Sequence, residues 1–128
     1  MEKGTVDTQV GAKGSKIGEW TQVEPITATG AMRVVGQGRG VVVDARPQVR
    51  RHQGSLPGAV VVEPGEVSRV FGGTSTGWVH HDSEIAVVSV RSEAPRIAAE
   101  IADMGYRNVH YVDGGYTAMN RVAQRDSR

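Results

Sequence analysis

Short runs of branched apolar residues recur along this chain and are separated by segments with a different spacing of apolar positions. Residues 41–43 and 85–90 form nearly uninterrupted apolar runs, a pattern typical of strands that are buried on both faces. Residues 59–62 are a further short apolar run, and residues 109–112 are predicted as another strand. These four segments predict a sheet at the centre of the molecule.

Helical patterns lie between the predicted strands. Thr27 is suited to cap a helix over 28–35, and Pro95 suits the first turn of a helix that ends at Gly105 as a left-handed cap. A strand, a loop, a helix and a strand in this order make a right-handed crossover and a parallel sheet, so we predict the α/β class. Further helical turns are predicted after Pro47, over 66–71 and over 116–123.

The length of 128 residues fits one domain with one core. Residues 1–19 have little apolar surface and are expected to be a disordered tail, followed by the domain over 20–123 and a flexible tail over 124–128. Residues 72–83 read as a long surface loop. No secretory signal or run of about 18–20 apolar residues is present, so we expect a cytoplasmic protein that does not bind membranes. We also expect a monomer.

Composition limits the possible chemistry more than it limits the fold. The chain has no cysteine, which excludes disulfides, thiolate metal sites and cysteine nucleophiles. A net charge of +1 gives no sign of nucleic-acid binding, and Arg46, Arg50 and Arg51 read as a solvated helix face. His80 and His81 are adjacent on an extended segment and point to opposite sides, so neither a metal site nor a cofactor is expected.

Four stretches of the chain together resemble the rhodanese homology domain over residues 20–121. They are the strand ending in Asp44-Ala45-Arg46, the turn of residues 54–59, the helix leading through Gly105-Tyr106 to the strand at 109, and Gly114-Gly115-Tyr116. The resemblance implies a five-stranded, mostly parallel sheet with helices on both faces. It also implies a ligand cradle at the carboxyl ends of the strands.

In active members of this family, a cysteine begins the loop after the strand that corresponds to residues 85–90. About five backbone N–H groups of that loop stabilise its thiolate or persulfide. Different alignments place the missing cysteine at Val88, Ser89 or Val90, none of which can carry sulfur.

The resemblance assigns a possible anion cradle that differs from the family pattern. Pro95 removes one N–H donor, Glu93 adds a negative charge, and Ser55 replaces the histidine usual in the 54–59 turn. Asp44 and Arg46 match the family, and structural roles are expected for both, Arg46 bridging loops and Asp44 accepting from backbone amides. The possible cradle residues are Arg91, Ser92, Glu93, Ala94, Arg96, Asp44 and Arg46.

The preserved scaffold and the missing nucleophile lead to two hypotheses. The first is a non-catalytic module that binds a small anion or a protein partner. The second is a thiosulfate or persulfide sulfurtransferase in a Cys-to-Ser form at Ser89. A phosphatase relative would need a cysteine and an arginine separated by five residues, and Val90 and Arg96 have that spacing without the nucleophile.

Overall fold

A computed structural model describes residues 16–17, 20–21, 23–72, 79–90 and 92–126. The strands are β1 (Lys16–Ile17), β2 (Trp20–Thr21), β3 (Glu24–Ile26), β4 (Gly40–Asp44), β5 (Val60–Val61), β6 (Glu84–Val88) and β7 (Asn108–Val112). The helices are α1 (Ala28–Gly36), α2 (Gln48–Arg51), α3 (Val67–Gly72), α4 (Glu93–Ala102) and α5 (Gly115–Asp126), with a 3-10 turn at Pro64–Glu66 before α3.

Five of the strands form one parallel sheet in the order β3-β7-β6-β4-β5. The central strands β4 and β6 pair along their full length, from Gly40 opposite Glu84 to Asp44 opposite Val88. This confirms the predicted α/β class and the five-stranded sheet. Because every strand of the sheet runs in the same direction, the segments that follow them meet at one carboxyl edge.

The apolar runs form strands because both faces of the sheet are covered. Along β4, Val42 faces a core shared with α1 and α5, whereas the next residue, Val43, faces a core shared with α3 and α4. In β6, Ile85 and Val87 likewise alternate with Ala86 and Val88 between the two cores. Successive residues of a strand point to opposite faces, so neither strand has room for a polar side chain in its interior.

The helix signals predicted from the sequence are also present. Thr27 caps α1, and its hydroxyl accepts a hydrogen bond from the Gly30 N–H at 3.0 Å. Gly105 has the predicted positive φ, 100°, but α4 ends earlier, at Ala102, and Asp103 is its C-terminal cap, so Gly105 lies in the turn after the helix.

Two element boundaries on either side of the loop after β6 differ from the sequence expectation. The strand predicted over 85–90 ends at Val88, and α4 begins at Glu93, where the sequence predicts a loop through Ala94. The N–H groups of Glu93 and Ala94 donate to the Val90 carbonyl at 2.8 and 3.1 Å, which starts the helix early. Pro95 is tolerated in this first turn because the N–H groups there have no partner within the helix.

The ends of the chain differ in part from the expected tails. Lys16–Ile17 forms an antiparallel pair with Trp20–Thr21, whereas residues 1–15 and 18–19 of the expected disordered tail lie outside the described residues. At the other end, α5 continues to Asp126, so residues 124–126 are helical where a flexible tail is expected. Within the predicted 72–83 loop, residues 73–78 lie outside the described part, and Val79 is buried in the core.

Candidate functional site

A cavity of about 810 Å³ opens at the carboxyl edge of the sheet, where the segments following β4, β6 and β7 converge. This volume lies within the range of small-molecule sites. The described residues that line it are Arg46, Arg50, Gln53, Ser89, Val90, Ala94, Tyr111, Val112, Asp113, Gly114, Gly115, Tyr116 and Thr117.

The three candidate positions for the missing cysteine have different environments. Val88 is fully buried in the α1–α5 core, whereas Ser89 and Val90 line the cavity. Ser89 is only 4% exposed, and its hydroxyl donates to the Ala45 carbonyl at 2.9 Å. The side chain at position 89 therefore faces a hydrogen-bond acceptor, which would repel a thiolate.

The loop after β6 does not form an open ring of inward-facing amides in its second half. Both the Glu93 and Ala94 N–H groups are bound to the Val90 carbonyl, and Pro95 has no N–H. Two of the amides that would follow a nucleophile at Ser89 are thus used to begin α4. An anion at Ser89 lacks these donors.

The predicted cradle residues are not all brought together. Arg46 and Ala94 line the cavity with Ser89 and Val90, but Ser92, Glu93 and Arg96 do not. Arg96 pairs with Glu93 one turn earlier on the exposed face of α4 and lies 3.7 Å from Glu100. Arg91 lies outside the described residues.

Arg46 is the main structural cation beneath the cavity. Its guanidinium binds both oxygens of Asp44, at 2.8 and 2.7 Å, and each side chain is 1% exposed. The Asp44 carboxylate also accepts from the Arg46 N–H, while Arg46 donates to the carbonyls of Arg50 and Gly54. Arg46 therefore bridges the surrounding loops, as expected.

The reading of Arg46, Arg50 and Arg51 as one solvated helix face is wrong. Arg46 precedes α2 and is buried, because Asp44 neutralises its charge in the interior. Arg51 is partly buried and connects the Arg46 carbonyl, at 2.7 Å, to the Glu63 carboxylate. Arg50 is exposed and lines the cavity.

Tyr116 forms a wall that links α5 to the loop after α2. The Arg46 guanidinium lies 4.2 Å from the centre of its ring, within the range of a cation–π interaction. The Tyr116 hydroxyl donates to the Gln53 carbonyl at 3.3 Å. Sequence reasoning assigned no site role to Gln53, Tyr116 or Asp113, because only the fold brings the three loops together.

Other site classes receive no support from the described part of the chain. No group of three or more histidine and acidic side chains could hold a metal ion among the described residues. None of the described helices has the length and apolar character needed to cross a bilayer.

The parallel sheet, the helices on both faces and the cavity at the carboxyl edge define an α/β protein with a cavity at the strand ends. The family model of the rhodanese-like domain matches residues 27–121. The chain therefore belongs to the rhodanese-like family. None of the curated proteins matches its sequence.

Solved structures agree with this fold at low sequence identity. A human single-domain sulfurtransferase has a TM-score of 0.66 at 13% identity, covering 77% of this chain and 96% of that one. A single-domain sulfurtransferase of Saccharomyces cerevisiae has a TM-score of 0.63 at 16% identity, covering 81% and 94%. A protein of unknown function from Rhodopseudomonas palustris, described as a possible tyrosine phosphatase, has a TM-score of 0.63 at 19% identity, covering 79% and 82%.

Proposed function

We propose that this rhodanese-like domain does not transfer sulfur and instead functions by binding, with the carboxyl-edge cavity as its site. One contact carries the proposal: the Ser89 hydroxyl donates to the Ala45 carbonyl. A sulfur carrier at this position needs hydrogen-bond donors that stabilise its thiolate, and here the hydrogen-bond partner of the side chain is an acceptor. A small anion and a protein partner are the two kinds of ligand consistent with the sequence.

The surrounding loop supports the same proposal. Restoring a cysteine alone would not restore the donors, because the Glu93 and Ala94 amides already bind the Val90 carbonyl. The absence of sulfur transfer therefore results from the conformation of the loop as well as from the missing cysteine.

The first test is incubation of the protein with thiosulfate and cyanide, followed by measurement of thiocyanate. We expect no product above a buffer control, while an active rhodanese assayed in parallel should give product. Turnover by this cysteine-free chain would overturn the proposal.

A sulfurtransferase in a Cys-to-Ser form is the second candidate. Ser89 follows β6 directly and lines the cavity, as Val90 does, whereas Val88 is buried in the core. Of the two cavity-lining positions, only Ser89 holds a side chain that differs from cysteine by a single atom.

The variant Ser89→Cys distinguishes the two candidates, with Val88→Cys and Val90→Cys as matched controls. If the domain is natively non-catalytic, none of the three variants should take up a persulfide from thiosulfate, as measured by intact-protein mass spectrometry. Persulfide on Ser89→Cys alone would support the enzyme and contradict the binding module.

A further inference from the structure

A buried ion pair lies beneath the cavity and contributes little net charge to a ligand. Arg46 and Asp44 pair through two hydrogen bonds and are almost fully enclosed, so their charges largely cancel. The charge available to a ligand must come from other side chains that line the cavity.

Two such side chains carry opposite charges. Arg50 reaches the cavity from α2, and Asp113 reaches it from the segment after β7. They form no ion pair with each other, and neither charged group has a partner elsewhere among the residues that the structure describes. Both charges are exposed and remain available to a ligand.

The rest of the wall combines apolar and aromatic side chains with a few uncharged polar ones. Val90, Ala94 and Val112 provide aliphatic surface, while Tyr111 and Tyr116 provide rings. Such a wall favours a ligand with an apolar part between its charged groups.

A simple anion matches this arrangement poorly. Arg50 would attract it, but Asp113 would repel it, and the Glu93 and Ala94 amides are already used. A molecule with one carboxylate and one ammonium group could pair with both side chains at once.

We propose that the cavity binds a small zwitterion, with its carboxylate at Arg50, its ammonium at Asp113 and its apolar part against Val90 and Ala94. Amino acids and short peptides have this chemistry, and a cavity of about 810 Å³ can hold a dipeptide. This inference rests on the proposed binding function and replaces the simple anion expected from the sequence with a zwitterion.

The dipeptide alanyl-leucine is a suitable probe, followed by amide chemical shifts of the full-length, isotope-labelled protein. We expect saturable shifts at Gly115 and Tyr116. N-acetylation of the probe, or amidation of its carboxylate, should each weaken binding by about threefold to fivefold, as expected for a partly exposed ion pair.

Two variants test which charged group of the probe each side chain binds. Arg50→Gln should weaken binding and remove the effect of amidation, whereas Asp113→Asn should weaken binding and remove the effect of N-acetylation. Arg121→Gln is the matched control, because Arg121 is an exposed arginine of α5 that is not among the cavity-lining residues. It should bind like the unaltered protein.

The inference is overturned if the probe causes no saturable shifts, if both blocked probes bind as tightly as alanyl-leucine, or if thiosulfate binds more tightly than the dipeptide. None of these results would be evidence that the domain transfers sulfur. Thiocyanate formation, in contrast, would overturn the proposed function without affecting the dipeptide titration, so the two failures can be distinguished.

Discussion

Gly54 combines a positive backbone φ with a close approach to Tyr116, a side chain that lines the cavity. Its φ is 143°, and a Cβ atom added there would lie 2.2 Å from the Tyr116 hydroxyl oxygen. The Gly54 carbonyl also accepts a hydrogen bond from Arg46 at 2.8 Å, which prevents an easy shift of the backbone.

Replacing Gly54 with alanine should therefore lower the free energy of unfolding by roughly 1–3 kcal/mol. Gly65→Ala is the control, because nothing lies within 4 Å of an added Cβ there and its φ is not positive. That control should change the stability by no more than about 0.5 kcal/mol. Denaturant unfolding measures both values.

A second substitution, Tyr116→Phe, tests whether the Tyr116 hydroxyl causes the loss of stability in Gly54→Ala. In the Gly54→Ala background it removes the atom that clashes, so part of the lost stability should return, while the backbone strain remains. A double variant that is as unstable as the sum of the two single variants would show that the Tyr116 hydroxyl is not the obstacle.

At the same scale, the sequence shows the missing cysteine but not the environment of its replacement. The contact from Ser89 to Ala45 joins two loops that are 44 positions apart in the chain. No local pattern encodes such a contact, because the parallel pairing of β4 and β6 creates it. The same reason explains why Asp113 and Arg50 could not be placed in one cavity from the sequence.

At the scale of elements, α2 depends on Arg51 for its position. Arg51 donates to the Arg46 carbonyl and pairs with Glu63, so it ties α2 to the segment that follows β5. The helix has four residues and none of them is buried, so packing alone does not hold it.

Arg51→Gln should lower the free energy of unfolding by about 1–3 kcal/mol, because a partly buried charged donor loses two acceptors. Arg69→Gln is the matched control, since Arg69 also pairs with a glutamate but is 73% exposed. That control should lose no more than about 1 kcal/mol. Equal losses in the two variants, measured by denaturant unfolding, would contradict this role of Arg51.

Element types were predictable where the apolar pattern is strong, and boundaries were not predictable where tertiary contacts decide them. The runs in β4 and β6 and the Thr27 cap are local signals, and each is present in the structure. The early start of α4 instead depends on the Val90 carbonyl accepting two amides. Pro95 is compatible with several positions in a first helical turn, so it could not fix the start.

At the scale of the whole molecule, one sheet separates two cores. Ile97 of α4 belongs to the core on one face, and Met119 of α5 belongs to the core on the other. Alternate residues of the same strands enter both cores, so the loss of packing on one face should loosen the strands that the other face requires.

Ile97→Ala and Met119→Ala should each lower the free energy of unfolding by roughly 2–5 kcal/mol in a single cooperative transition. Val49→Ala is the control, because Val49 is 72% exposed and its loss should change stability by at most about 0.5 kcal/mol.

Native-state hydrogen exchange provides the decisive measurement of whether the two faces unfold together. In Ile97→Ala, slowly exchanging amides of α5 should lose as much protection as those of α4, because both exchange through unfolding of the shared sheet. Reduced protection confined to α3 and α4 would show that the two faces unfold separately, and the cavity would then lie between two independent units rather than on one.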